Sequence, residues 1–416
     1  AITGLSVAEI EAFAELYGNT PRSFIRLGIG FSRSRNGAHN IHSVSCLPAV
    51  TGAWQHPGGG ALLGTSAIFG QLDKTLIEGT DLASGQMREL DMSRIGAVHN
   101  GNAEDLRDGP PVKAMLIQNT NPMAVAPDLN QVHKGFARED LFVCVHEQFM
   151  TETARMADVV LPATTSMEHD DLYTSYGQIY LQVAAPVIEP HANCRSNHEV
   201  ICELGRRLGR EDPGFNMDAR TMIANTLEQS GYPDYQSLQA ERWFDVSADV
   251  DMQFSKGFDW PDGKFRLKAD WSAVGEHFEG MPSWPGHWAV IDPVSEELPY
   301  RLITPPARYF LNSSFTQSPC ALIKEERPME RIHPEDARAQ NIQDGQRIEI
   351  GNGLGKLKLH ARLTERTRPG VLEVQGIWPG DAFEGGVGIN ALISAEAAQP
   401  SGGVVFHDAA VWVRTV

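Results

Sequence analysis

Cysteine is scarce in this chain, with five in 416 residues and no Cys-x-x-Cys among them. Without that spacing the strong signature of zinc or iron–sulfur ligation is missing, and the odd count speaks against a disulfide scaffold. Cys46, Cys144 and Cys202 lie in apolar stretches and read as small core residues. Cys194 and Cys202 match no common metal spacing. Positive charge is also in deficit: 35 Lys and Arg against 53 Asp and Glu leave a net charge of −18. A nucleic-acid binder needs a basic face to neutralise phosphates, so that class is disfavoured. An anionic cofactor held by backbone donors and a few Arg or His side chains is not. No apolar run approaches ~18 residues, so no membrane span is expected, and no signal peptide opens the chain. Among the fourteen histidines there is no His-Glu-x-x-His and no Ser/His/Asp pattern. The Gly-Thr-Ser run at Gly64 lacks the second glycine of a nucleophile elbow, leaving a hydrolase reading without a motif.

What is present is ordinary globular material, 42% hydrophobic and 21% charged, long enough for two to three domains. From residue 1 to 210 helical and strand patterns alternate. A helix over 7–17 carries Val7, Ile10, Phe13 and Ala14 on one face, a strand follows at 23–27, and a glycine-rich turn comes next. Further strands are expected at 112–118, 141–145 and 159–161, and helices at 39–50, 127–135 and 197–208. Such alternation predicts a mainly parallel sheet covered by helices. Residues 211–298, rich in Pro, Gly, Trp and acids, read as a partly helical connecting region. From 299 to 416 short alternating strands separated by Gly, Asp and Pro turns predict a small closed β structure with one helix over 333–341.

The chemistry-bearing candidates sit at strand ends. Gly28-Ile29-Gly30 ends a strand where a backbone could approach a ligand, but it lacks the rest of a dinucleotide fingerprint. Asn119-Thr120-Asn121-Pro122 ends another, with amides that both donate and accept. Two such turns in one sheet suggest a shared cleft. Thr151 and Glu152 place a hydroxyl and a carboxylate at a helix start, where free N–H groups need acceptors. Arg308, Asn312, Ser313 and Ser314 populate a polar loop suited to phosphates or a purine. Asn390 lies amid apolar residues and needs a hydrogen-bond partner if buried. Asp170 and Asp171 are adjacent, so their side chains diverge, and a solvated turn is preferred to a catalytic pair.

The run HEQFMTETARMADVVLPATTSMEHDDLY, with RLGIGFSRSRNG, LPAVTGAWQHPGGG and VKAMLIQNTNP before it and RIHPEDARAQNIQDGQRIEIGNG after it, resembles the molybdopterin oxidoreductases of the dimethyl-sulfoxide-reductase type. The resemblance runs in order over nearly the whole chain. It implies an α/β plus all-β fold: a partial, mainly parallel α/β domain (1–210), a connecting region (211–298) and a dinucleotide-binding β-barrel of double-psi type (299–416). It implies two molybdopterin guanine dinucleotides holding molybdenum or tungsten, and two-electron redox or oxygen-atom transfer on a small-molecule substrate, with the cofactor carrying the redox step. On the matching positions, Gly28, Gly30 and Arg33 would line the pyrophosphate or pterin approach, and Asn121 and Glu147 a guanosine portion. Glu147 stands where Asp is usual, His169 and His407 where Lys is frequent, and Asn197 where some members have Asp. Thr304, Arg308, Asn312, Ser313, Asn390 and His407 fall in the barrel's cofactor-contacting stretches. Nothing resembles the family's N-terminal iron–sulfur segment or its metal-ligand region. The chain is therefore expected to be a C-terminal portion, inactive alone, with any [4Fe-4S] cluster in the missing N-terminal part. Partners implied are that portion and an electron-transfer subunit. A cytoplasmic location is expected, or a periplasmic one if a twin-arginine signal lies upstream. A noncatalytic scaffold of the same fold and a nicotinamide dehydrogenase are the competing readings.

Overall fold

The computed structural model describes residues 2–83, 87–247, 254–275 and 278–416; residues 248–253 and 276–277 of the expected connecting region lie outside the described residues. Three small sheets precede a barrel. Strands β1 (Phe24–Arg26) and β2 (Gly60–Leu62) form a parallel pair. Strands β3 (Ala114–Gln118), β4 (Phe142–Glu147) and β5 (Val159–Pro162) form a parallel sheet in that order. Strands β6 (Asp171–Tyr173), β7 (Tyr180–Ala184) and β8 (Phe244–Asp245) are antiparallel. Strands β9 (Tyr300–Ile303), β10 (Met329–Ile332), β11 (Arg347–Gly351), β12 (Lys356–Leu363), β13 (Val371–Val374) and β14 (Ala410–Thr415) close into a six-strand barrel, in the order β10-β12-β11-β14-β9-β13. Parallel α/β sheet and closed barrel are the two architectures the sequence pattern called for.

The barrel forms because its strands alternate. Along β12 every second residue is buried over Leu357, Leu359 and Ala361, a period that puts one face inward. The Asp344-Gly345 turn lies between helix Pro334–Ala339 and β11, and Gly345 takes φ +74°, where glycine has no Cβ penalty. The barrel core is continuous with that of the β3-β4-β5 sheet. Ile117, Val143 and Val145 of the sheet, Leu129, Val132 and Phe136 of helix Leu129–Phe136, and Ile348, Leu372 and Val411 of the barrel belong to one buried cluster. This fixes the sheet's loops relative to the barrel.

Several expectations need correction. The Gly28 turn and the Asn119 turn are not in one sheet, because β1 is only three residues long and pairs with β2 alone. The region expected as weakly periodic connection carries two capped helices, Ala219–Gln229 and Tyr235–Glu241. Asp218 and Asp234 accept hydrogen bonds from their first-turn N–H groups. Ile223, Leu227 and Leu238 pack there with Leu181 of β7 in a second core. The β6–β7 hairpin, the strand Met329–Ile332 and the helix Pro319–Glu325 were not anticipated. Among the described residues, no helix is long and apolar enough to cross a membrane.

Candidate functional site

The carboxyl ends of β3, β4 and β5 open on a cleft of about 610 Å³, the position where open parallel sheets present ligand sites. Its floor comes from Asn119–Asn121 after β3, Glu147 and Gln148 at the end of β4, and Thr164 and His169 beyond β5. The start of helix Asn197–Arg207 forms a wall, and Ser313, Ser314 and Phe315 of the loop that follows β9 close it from the barrel side.

Local chemistry positions each side chain. Asn119 adopts φ +58°, a conformation Asn tolerates, and its Oδ1 accepts from Asn197 Nδ2 at 3.2 Å. Asn197 opens a helix capped by Ser196 and Glu199 in a reciprocal capping box. Its Oδ1 accepts from Gln118 Nε2 at 3.4 Å. Glu147 is half-buried, and its Oε1 accepts from the Gln148 backbone at 2.7 Å. His169 Nδ1 lies 2.8 Å from Thr164 Oγ1, and its Nε2 lies 4.0 Å from Asp171. Asn312, in a left-handed conformation at φ +49°, is at the tip of a tight turn in which Leu311 and Ser314 exchange backbone hydrogen bonds. That turn presents Ser313 to the cleft.

Asn121 behaves differently. It is 3% exposed, its Nδ2 donates to Glu152 Oε2 at 2.8 Å, and its Oδ1 accepts from Thr153 Oγ1 at 2.7 Å. The other oxygen of Glu152 accepts from the Gly380 backbone at 3.0 Å. Asn121 therefore ties the β3 loop to helix Glu152–Arg155, and through Glu152 to the barrel.

Glu147, Asp170 and Asp171 line the cleft, and among the described residues no Lys or Arg does. Asp170 is already engaged by Arg220 at 3.0 Å and the Tyr235 hydroxyl at 2.6 Å; burial, then the Asp170 hydrogen bond, push the Tyr235 phenol up to about 12. A lining of amides, hydroxyls, imidazoles and the two carboxylates of Glu147 and Asp171 suits a neutral group rich in N–H and O–H donors, such as a nucleoside, better than a bare phosphate.

A second locus lies at the junction of the Gly28 turn and the barrel. The His407 backbone donates to Arg33 O at 3.1 Å, Thr304 Oγ1 donates to Phe406 O at 3.2 Å, and the Arg33 guanidinium lies 5.9 Å from the Phe406 ring. His407 Nδ1 is buried without a partner among the described residues, and burial lowers its pKa, keeping the ring neutral. Gly28 caps the 3₁₀ turn Ile29–Arg33, and Gly30 lies within it. A Cβ on Gly28 would meet nothing closer than 4.0 Å, and one on Gly30 nothing within 4 Å. Both therefore border open space rather than a packed neighbour.

The structure thus gathers Glu147, His169, Asn197 and Ser313 around the cleft with Asn121 beneath them, and Gly28, Gly30, Arg33, Thr304 and His407 around the second locus. Arg308 is exposed, its guanidinium 5.9 Å from the Tyr309 ring. Asn390 is fully buried at the seam between sheet and barrel; its Nδ2 donates to Val125 O at 2.9 Å and its Oδ1 has no partner among the described residues. Arg308, Asn312 and Asn390 do not line the cleft. Gln148 and His198 line it without having been expected to; each directly follows a singled-out residue at an element end, which was the available signal.

Residues 5–207 match the molybdopterin oxidoreductase family model, and residues 300–410 match that of the molydopterin dinucleotide binding domain. The chain belongs to the molybdopterin oxidoreductase family. It is 33% identical over 421 residues to the probable oxidoreductase YoaE of Bacillus subtilis, an alignment covering 100% of this chain and 60% of the relative. It is 25% identical to the trimethylamine-N-oxide reductase of Haemophilus influenzae over 91% of this chain and 52% of that one. The chain spans little more than half the length of these curated relatives. The acetylene hydratase of Pelobacter acetylenicus superposes with a TM-score of 0.76 at 20% identity, over 99% of this chain and 63% of that one, a likeness of fold.

Proposed function

We propose that this molybdopterin oxidoreductase chain grips the guanine dinucleotide tails of a bis(molybdopterin guanine dinucleotide) cofactor carrying molybdenum or tungsten, in an enzyme that acts on a small substrate. The observation that carries the proposal is the cleft shared by the sheet loops and Ser313–Phe315. When bound, the cofactor supplies two-electron redox or oxygen-atom transfer. The chain's own residues do the holding. Glu147 accepts hydrogen bonds from a base edge or ribose hydroxyls, and Asn119, Asn197 and Ser313 complete the pattern. Arg33 offers charge to the pyrophosphate, and Gly28 and Gly30 leave room for it. His407, neutral and with one nitrogen unpartnered, supplies a hydrogen bond there. The domains at 1–210, 211–298 and 299–416 divide this work between sheet and barrel. We assign the protein ligand to the metal, any iron–sulfur cluster and the contacts to an electron-transfer subunit to the portion of the relatives that this chain does not span, so that the chain alone turns nothing over.

Extraction of the native protein tests this. Guanine nucleotide released by acid hydrolysis should be stoichiometric, and Glu147→Ala should lower its content about tenfold, a loss of ~1.4 kcal/mol, with the circular dichroism spectrum unchanged. A folded native protein with no guanine nucleotide would remove the proposal, as would molybdenum-dependent dye reduction by residues 1–416 alone for its last clause.

A further inference from the structure

The chain has a net charge of −18, yet one corner of the barrel's outer wall is cationic. Residues along β12 alternate, so Lys358 and His360 stand on its outer face between the buried Leu357, Leu359 and Ala361. Strand β11 runs antiparallel to β12 and sets Arg347 directly opposite His360. Arg327, just before β10, and the loop carrying Ala382 and Glu384 complete a concavity of about 100 Å³. None of these residues lines the cleft. Glu384 is the one acid among the described lining residues, and it serves two cations, Arg347 and, at 2.9 Å, Lys358. Glu349, the cross-strand neighbour of Lys358, is committed elsewhere, to Arg414 and to Lys356 at 3.2 Å. The Arg327 guanidinium and the His360 ring have no hydrogen bond or ion pair among the described residues. Burial, then Arg327 and Arg347, hold the His360 imidazole below its ordinary pKa. Like charges directly opposite across a ladder destabilise a sheet, so a protonated His360 facing Arg347 costs stability unless an anion sits beside both.

We propose that this concavity binds a small tetrahedral oxyanion, phosphate or sulfate, gripped by Arg327, Arg347 and Lys358 and, when it is protonated, by His360. Size selects the ligand. At ~30 Å³ per water the space holds about three waters, enough for an anion of four oxygens and too little for a sugar or a base. The chemistry agrees. Guanidinium forks match the oxygens of such an anion in pairs, and a lysine adds a point charge. Three fixed cations against one carboxylate leave two positive charges over, the charge that a dianion neutralises. The charged groups around His360 are Arg347 on β11, Arg327 before β10, Glu384 from the loop, and Lys358 and Arg362 on its own strand; Met329 lies opposite it on β10, and Arg362 is tied to Glu326 at 3.4 Å. Bound anion turns the repulsion between His360 and Arg347 into a shared attraction, so proton and anion bind together. The inference concerns the outer wall of the barrel and does not rest on cofactor binding.

Calorimetric titration of the protein with sodium sulfate, against sodium chloride at matched ionic strength, tests it. Sulfate keeps its charge over the range in which histidine titrates, so any pH dependence belongs to the protein. Sulfate should bind saturably at one site, and more tightly as pH falls through the His360 pKa. That pKa, read by NMR, should rise by about one unit or more when sulfate saturates, as a close opposite charge requires. Arg327→Ala breaks no side-chain hydrogen bond or ion pair among the described residues. It should leave the melting temperature in chloride unchanged and weaken sulfate binding about tenfold. His360→Gln should keep the binding seen at neutral pH and lose its tightening in acid. Inorganic phosphate should bind at least as well as glycerol phosphate, whose remainder has no room. Sulfate behaving like chloride at matched ionic strength overturns the proposal, since the corner is then only a charged surface. So does unchanged affinity in folded Arg327→Ala, or acid tightening that survives His360→Gln. Glycerol phosphate binding about tenfold tighter than phosphate overturns it too, because the ligand is then a larger ester.

Discussion

The barrel and the β1–β2 pair show two ways of making a small β structure. The barrel consumes its own edges. Its strands pair around a closed ring, and Leu302, Ile332, Ile348, Ile350, Leu372 and Val411 are all fully buried. The β1–β2 pair has no ring to close, and its flanking helix leaves its stripe in water. Closure, rather than strand content, separates a unit that pairs all its own edges from one that leaves them free. A dinucleotide needs rigid walls, and the barrel, sharing its core with the β3-β4-β5 sheet, supplies them. The Arg33 locus ties the open unit to this rigid body.

The tie can be cut. Arg35, whose side chain is 13% exposed, bonds to Asp408 through Nε at 3.0 Å, to Glu396 at 2.6 Å and to Asp292. Asp408 lies just before β14 and its side chain is 2% exposed, with Oδ1 unpartnered among the described residues. Arg35→Ala leaves that buried carboxylate with the backbone N–H of residue 35, at 2.8 Å, in place of a guanidinium, and should cost up to ~3–5 kcal/mol in denaturant unfolding. A smaller loss would mean that the open unit is attached chiefly by apolar contact.

Inside the barrel, Glu330 is fully buried and neither carboxyl oxygen has a partner among the described residues. Burial raises its pKa well above the carboxylate range, so the folded state holds the proton and the unfolded state releases it. Stability should therefore be highest at low pH and fall as pH rises from the ordinary glutamate pKa to the raised one. Glu330→Met should flatten that slope and stabilise the protein by ~1–3 kcal/mol at neutral pH. An unchanged pH profile would mean that the carboxyl is reached by water. His99 titrates in the opposite sense. Burial, with Arg138 nearby, lowers it to about 4, so stability present above the unfolded value of about 6.5 should be lost as pH falls toward 4. His99→Phe should remove that acid-side loss, as read from melting temperature between pH 7 and 4.

The contrast also explains what the sequence disclosed. Barrel strands were readable because burial on one face imposes a period of two, visible in Leu357, Leu359 and Ala361. Met329–Ile332 was hidden because Glu330, at an inward position, breaks the apolar alternation. The helix stripe was readable, but nothing local says whether a stripe is covered. Sheet membership was not readable either: β1 and β3 look alike in sequence, and only long-range pairing sends them to different sheets. At the cleft, Asn119 could be picked out because strand ends are where ligands bind, whereas Glu147 came from the family resemblance alone. Asn121, two residues from Asn119, turns its amide inward to Glu152 and Thr153, a choice made by packing that composition does not encode.

The finest comparison is one substitution made in both places. Leu372 is fully buried in the barrel, and Leu16 is 68% exposed. Leu372→Ala removes buried methylenes and leaves a cavity, costing ~2–5 kcal/mol. Leu16→Ala removes little that is out of water and gains slightly in helix propensity, so the chain alone should change by less than ~0.5 kcal/mol in either direction. A Leu16→Ala loss as large as that of Leu372→Ala would show that the helix stripe is packed as tightly as the barrel core.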